Sequence, residues 1–205
     1  MLNNWSLDMK KIIIAGAGGF GKEVAWIISR INQVHPEFQV VGFCDDDQST
    51  GADVSSIAPF IGSVDDVITK HVGCGYICAI GNNENRKNVM TALDRAGLMA
   101  LSVIDPSAVI AEDVVIGAGC FINVNAAIST GSCVGRGVVV NINASVGHDV
   151  TLRDFAQVCP GVSVSGGCVI GEGALLGSNS CTLPGKKMGA WSVLGAGSVL
   201  LSNLE

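Results

Sequence analysis

The stretch Val134-Gly-Arg-Gly-Val-Val-Val140-Asn-Ile-Asn-Ala-Ser-Val146-Gly-His-Asp-Val-Thr-Leu152-Arg-Asp-Phe-Ala-Gln-Val158 returns an aliphatic residue at every sixth position. The same register runs from Ile104 to Leu200, and 15 of its 17 positions are Ile, Val or Leu. Thr182 and Met188 break the residue type but not the spacing. An α-helix repeats near 3.6 and a flat strand at 2, so a period of six belongs to neither alone. It fits a chain that bends after each short strand, so that three sides close a triangular coil with the aliphatic pointing inward. Small or compact residues two positions earlier (Ala108, Cys120, Ala126, Ser132, Ala144, Ala156) suit the same interior. Gly follows the aliphatic at Gly117, Gly135, Gly147, Gly171, Gly177, Gly189 and Gly195, where a corner is expected. About five uninterrupted coils stack through parallel ladders, stabilised by neighbour contacts.

Working outward, 205 residues leave room for a second small unit before the prism. The boundaries expected are an N-terminal tail over 1–10, an α/β unit over 11–102 and the prism over 103–205. The chain is 48% hydrophobic, yet no apolar run approaches the ~18 residues of a membrane span. A net charge of −6 argues against a nucleic-acid surface. Eight Cys without a leader pattern point to a reducing, cytoplasmic setting. No C-x-x-C pair occurs, and Cys120 and Cys168 occupy the small-residue column as packing residues with free thiols.

Upstream, Lys11–Ala15 reads as a buried strand, followed by Gly16-Ala-Gly18-Gly19-Phe-Gly21 and an amphipathic helix to about Ile31. Further strands are expected over Gln39–Cys44, Tyr76–Ile80 and Leu98–Ile104, with helices over Val64–Lys70 and Glu84–Ala96. Alternating strands and helices indicate a parallel sheet of Rossmann type. The glycine run after a strand and before a helix lets backbone approach a pyrophosphate at the positive end of the helix. Asp45 and Asp46 then stand ready to accept from a ribose or a base. About 90 residues hold only one mononucleotide-binding half, which favours a ligand with a single nucleotide over a dinucleotide.

With both halves in view, the chain resembles the bacterial sugar O- and N-acyltransferases of the hexapeptide-repeat superfamily. The nearest groups are the sialic acid O-acetyltransferase-like enzymes and the acetyltransferases of nucleotide-linked 4-amino-4,6-dideoxy sugars. The motifs are Gly16-Ala-Gly18-Gly19-Phe20-Gly21-Lys22, Phe43-Cys-Asp45-Asp46, Ala79-Ile-Gly81-Asn82-Asn83-Glu-Asn-Arg86, Val140-Asn-Ile-Asn-Ala-Ser-Val-Gly147-His148-Asp149, Pro160-Gly161 and Gly177-Ser178-Asn179-Ser180-Cys181. The resemblance implies a left-handed parallel β-helix, acetyl transfer from acetyl-CoA without a metal, a homotrimer, and an active site in the cleft between two prisms. It places a nucleotide-sugar substrate in the small unit.

By resemblance His148 is the general base and Asp149 the acidic residue that raises its basicity. His148 also lies off the inward column, beside a corner, and an imidazole can take a proton near neutral pH. The resemblance sets Gly166 near the thioester and Gln157 at a position often occupied by His that contacts acetyl-CoA. Ser178 and Ala196 match main-chain CoA positions. In the small unit Gly18, Gly19 and Phe20 correspond to the phosphate loop, Asp45 and Asp46 to the nucleotide-recognition pair, and Gly81 to a substrate position, with Asn82, Asn83 and Arg86 nearby. Phe20 stands where many relatives carry His. Relatives also continue into a tail that covers the CoA adenine, whereas this sequence ends at Leu201-Ser-Asn-Leu-Glu205, which implies weaker CoA binding than in a tailed form. N-acetylation of an amino sugar leads, with O-acetylation of a sugar or sialic acid and a non-catalytic nucleotide-sugar binder as rivals. A metal-dependent hydratase on the same prism would need several His ligands, and His148 is the prism's only one.

Overall fold

The computed structural model describes residues 9–205. The tail expected over 1–10 therefore lies, up to residue 8, outside the described residues. The chain opens with strand β1 (Lys10–Ala15), helix α1 (Gly19–Val34) and strand β2 (Phe38–Cys44). A 3-10 turn at Gln48–Thr50 leads into the short α2 (Gly51–Val54) and then α3 (Val64–Lys70). Next come β3 (Gly75–Cys78), α4 (Asn83–Arg95) and β4 (Met99–Ala100). The strands form one parallel sheet in the order β2-β1-β3-β4. Ile12, Ile13, Ile14 and Ala15 are all fully buried. Their unbroken apolar run follows from packing on both faces of a parallel sheet. Gly97, with φ +84, ends the α4 segment in the left-handed conformation that suits glycine.

One expected strand divides. Leu98–Ile104 forms β4 on the α/β sheet, and then β5 (Val103–Ile104), which pairs with Phe121–Ile122 of the prism. The break falls at Ser102, whose hydroxyl donates to Gly117 O and accepts from Cys120 N, turning the chain onto the first coil.

From β5 to β21 (Val199–Leu200) the chain is a series of two-residue strands. Each pairs in parallel with the strand 18 residues on, as Cys133 does with Thr151. Three sheets of six, six and five strands close a left-handed parallel β-helix. The first face carries Val103, Phe121, Val139, Gln157, Leu175 and Val193 outward; the second carries Val109, Ala127, Ser145, Ser163, Cys181 and Val199; the third carries Val115, Cys133, Thr151, Val169 and Lys187. The six-residue column lies inside, joined by the small column two residues earlier. Thr182 keeps the register as a buried residue because its hydroxyl accepts from Ser165 N.

The corners differ from expectation. From Ile116 to Leu194 the left-handed residue is the third after each residue of the inward column: Gly119, Asn125, Gly131, Gly137, Asn143, Asp149, Phe155, Gly161, and onward to Gly197. The glycines directly after the aliphatic have no positive φ. They are glycines because the coils stack closely: a Cβ on Gly117 would lie 2.7 Å from Arg136 N, and one on Gly177 2.5 Å from Ala196 N. At the far end Leu204 pairs with Met188 and adds to the third face, so the final residues continue the ladder.

The α/β unit docks on the first face and on the adjoining corner. Arg30 donates to the fully buried Asp105 carboxylate at 2.6 Å. Burial pushes the Asp105 carboxyl up, but hydrogen bonds from Arg30 and Ser107 outweigh it and hold the group below its ordinary value. The Phe20 ring packs edge-on against Phe121 at 5.1 Å.

Candidate active site

His148 sits between the second and third faces, at a corner where Asp149 takes φ +56. Neighbouring residues on a flat strand point apart. Here the left-handed turn swings the Asp149 carboxylate back, and its Oδ2 lies 2.8 Å from His148 Nδ1. A carboxylate on Nδ1 favours the tautomer with its proton there, leaving the Nε2 lone pair available. Nε2 faces Gly166, one coil on: a Cβ built on Gly166 would lie 2.5 Å from it. Gly131, one coil back, has the matching role, since a Cβ there would lie 2.4 Å from Asp149 Oδ1. The dyad is thus held between two glycines spaced by one coil each way. Gly131 was missed by sequence reasoning, although the 18-residue repeat points to it. The Gly166 N–H has no acceptor among the described residues. Both dyad side chains are about two-thirds exposed in the single chain.

The glycine loop borders a cavity of about 600 Å³. Its glycines divide by cause. Gly16, with φ +118, is forced by backbone and by Ala79 O at 2.5 Å from a built Cβ; Gly21 is forced by Gly16 O. Gly18, Gly19 and Gly81 have ordinary φ and nothing within 4 Å of a built Cβ, and all three line the cavity. Their missing side chains keep space open rather than relieve packing. Gly18 caps α1 with no side-chain bond, and the first turn holds no acid, so no side chain of the helix itself offsets its positive end.

Asp45 and Asp46 line this cavity too. Asp45 Oδ2 accepts from Ala17 N at 2.8 Å and so ties the glycine loop to the end of β2. Asp46 Oδ1 accepts from Val64 N, the first residue of α3. Each carboxylate has acceptor capacity left for a ligand. The opposite wall comes from α4, through Asn85, Asn88 and Val89. Sequence reasoning missed these; their i, i+3, i+4 spacing marks one helix face. Asn82 is instead the N-cap of α4, accepting from Asn85 N. Burial pushes the thiols of Cys44 and Cys78 up to about 12, so both stay protonated at neutral pH. The described cysteines are all free thiols.

Arg86 is fully buried and does not line either cavity near the loop. It donates to Ile80 O, Gly137 O, Phe155 O and Gln157 Oε1 and pins α4 to the prism corner. Burial lowers its guanidinium to about 10, which still leaves a full charge at neutral pH, satisfied by carbonyl dipoles. Gln157 projects from the first face, held by Arg86. Ser178 and Ala196 lie on the corner between the first and second faces, on successive coils of the same column. The structure therefore brings Gly18, Gly19, Phe20, Asp45, Asp46 and Gly81 together, and His148, Asp149 and Gly166 together, but on different sides of one prism.

The chain is similar to several known proteins. A family model described as the PglD N-terminal domain matches residues 11–93. A GDP-perosamine N-acetyltransferase of Escherichia coli O157:H7 is 27% identical over 172 residues, spanning 82% of this chain and 75% of that protein. The acetyltransferase domain of PglB from Neisseria gonorrhoeae FA1090, solved in complex with acetyl coenzyme A, superposes with a TM-score of 0.84 at 27% identity, covering 96% of this chain and 93% of its own. A histidine-to-asparagine mutant of perosamine N-acetyltransferase from Caulobacter crescentus, in complex with CoA and GDP-perosamine, superposes with a TM-score of 0.80 at 26% identity, covering 95% and 90%.

Proposed function

We propose, from the premise that this chain belongs to the hexapeptide-repeat family of sugar O-/N-acetyltransferases, that it moves an acetyl group from acetyl-CoA to the amine of a nucleotide-linked 4-amino-4,6-dideoxy sugar. The observation that carries the chemistry is the dyad itself: Nδ1 of His148 on Asp149, and Nε2 directed over Gly166. Acetyl-CoA supplies a thioester carbon open to attack. His148 Nε2 takes the proton from the attacking amine and Asp149 steadies the resulting imidazolium; as the tetrahedral intermediate collapses, the C–S bond breaks and the CoA thiolate leaves with that proton as the free thiol. In this reading the Gly166 N–H donates to the oxygen on which negative charge develops, a contribution of about 10²–10³-fold in such sites. The relatives solved with CoA, acetyl coenzyme A or GDP-perosamine support this choice of reactants.

In this reading the substrate's pyrophosphate rests on the Gly18–Gly19 turn at the start of α1, with Asp45 and Asp46 toward the nucleoside and Phe20 and Gly81 toward the sugar. Gln157, Ser178 and Ala196 line the acetyl-CoA path. The dyad and the glycine loop lie on different sides of one prism, so a second copy must supply one of them. A homotrimer, with the site between adjacent prisms, meets that need. The second face suits close contact: its outward column of Val109, Ala127, Ser145, Ser163, Cys181 and Val199 has no charge and no bulky side chain. Free thiols fit a cytoplasmic setting.

The test is thiol release from acetyl-CoA with a panel of UDP- and GDP-linked amino sugars. His148→Ala is expected to lower kcat by about 10²–10⁴-fold while both substrates still bind. An unchanged rate in that variant removes His148 from the mechanism. Nucleotide-sugar binding without thiol release from any acceptor favours a non-catalytic binder.

A further inference from the structure

A second cavity, of about 220 Å³, opens where the glycine loop meets the first prism face. Phe20, Glu23, Gly81, Val139, Asn141 and Gln157 line it. Phe20 and Gly81 also line the larger cavity, so the two spaces share a wall. The lining is amphipathic: Phe20 and Val139 form an apolar side, with the Phe20 ring fixed by Phe121, and Glu23, Asn141 and Gln157 form a polar side. Glu23 is the one lining residue with a formal charge. The nearby cation, Arg86, lies behind Gln157 and directs its donors to Ile80, Gly137, Phe155 and Gln157.

The direction of the Glu23 carboxylate is set by the prism. Its Oε1 accepts from Asn123 Nδ2 at 3.0 Å. Asn123 is fully buried, and the same nitrogen donates to Asn141 Oδ1 at 2.8 Å. Glu23 stands three residues beyond Phe20, on the same side of α1 and one turn from the N-terminus that faces the larger cavity. An ionised carboxylate offers about four acceptor positions, and Asn123 takes one.

We propose that Glu23 is the acceptor-recognition residue of this site. Resting on the acetyltransferase reading above, it selects sugars that present an amine or hydroxyl donor over sugars that carry a carboxylate. A nucleotide sugar with its pyrophosphate on the Gly18–Gly19 turn extends its hexose past Phe20 and Gly81 into the smaller cavity. There the C–H face of the ring meets Phe20 and Val139, and the polar edge meets Glu23, Asn141 and Gln157. A carboxylated sugar would set like charges together in a confined space, which counts against it.

The experiment compares binding of free GDP and UDP, GDP- and UDP-linked 4-amino-4,6-dideoxyhexoses, and UDP-glucuronate to the full chain and to Glu23→Gln. The Gln side chain keeps an acceptor for Asn123, so the fold is retained. The expected result is unchanged affinity for the free nucleotides, about 10- to 100-fold weaker binding of the preferred amino-sugar nucleotide, and a parallel rise in its KM at constant acetyl-CoA KM. UDP-glucuronate binding is expected to improve. Unchanged amino-sugar affinity overturns the proposal, and so does an equal loss for the free nucleotide, which would make Glu23 a support of the glycine loop. Failure of the acetyltransferase reading is a separate outcome: the wild-type chain would release no thiol with any acceptor, while the binding comparison would still decide Glu23.

Discussion

Replacing Gly166 by Ala tests the dyad geometry without touching either of its members. Gly166 has an ordinary φ, so Ala introduces no backbone strain. The added Cβ, however, would lie 2.5 Å from His148 Nε2, 2.7 Å from Cε1 and 2.9 Å from Cδ2, where ordinary contact begins at 3.4 Å. One side of this contact has to give. The backbone is held by Gly167 N on His148 O and by Gly185 N on Gly166 O, both at 2.9 Å. The imidazole is exposed and tied only through Nδ1 to Asp149, so the ring moves by about an ångström and strains that bond. A displacement of that size at a reacting centre costs about 10²-fold. The expected outcome is a kcat about 10²-fold down, with stability to urea within about 1 kcal/mol of the parent. Thiol release at saturating substrates and urea melts measure the two quantities. A kcat within about threefold of the parent, in a variant of unchanged stability, would show that Nε2 need not sit over Gly166 and would refute the argument.

Two further outcomes concern the junction between the α/β unit and the prism. Arg86→Ala strips partners from the carbonyls of Ile80, Gly137 and Phe155 and leaves a cavity, so unfolding free energy should fall by about 3 kcal/mol or more in urea melts; a loss below about 1 kcal/mol would contradict the role of Arg86 as a pin. Asp105, with its carboxyl held below the ordinary value, contributes stability that is complete above its unfolded pKa of about 3.9 and is lost as pH falls through the lower folded value. Stability measured from about pH 7 down to about pH 3 should therefore fall at the acid end, and Asp105→Asn should flatten that fall; an identical acid profile in the variant would assign it to other groups.

Much of this architecture was legible residue by residue. The buried run Ile12–Ala15, the glycine loop, the helix over Val64–Lys70 and the whole prism register could be read directly. The strand over Leu98–Ile104 was misjudged because its aliphatics serve two different sheets, and hydropathy does not say which. Arg86 drew attention as a charged residue beside a motif, yet its charge is spent on carbonyls from distant coils. Asn85, quoted within a motif, and Asn88 were given no role, because single polar residues on a helix look like solvated surface until the sheet places a cavity beside them.

The prism was decided by local repetition: an aliphatic every six residues can be buried only if the chain turns after every strand, so periodicity alone specified the coil and its interior. The corners needed the third dimension. The left-handed position is shared by Gly, Asn, Asp, Phe155 and Trp191, which no single preference unites, and the glycines that do recur are explained by the next coil 18 residues away. The same holds for the site. His148 and Asp149 are adjacent in the chain, but only the positive φ of Asp149 brings them into contact, and only the coil pitch lays Gly166 beneath the imidazole. Glu23 is one helical residue among many until docking of α1 on the first face sets its carboxylate against Asn123, because cavities and their charges arise from contacts between segments distant in the chain.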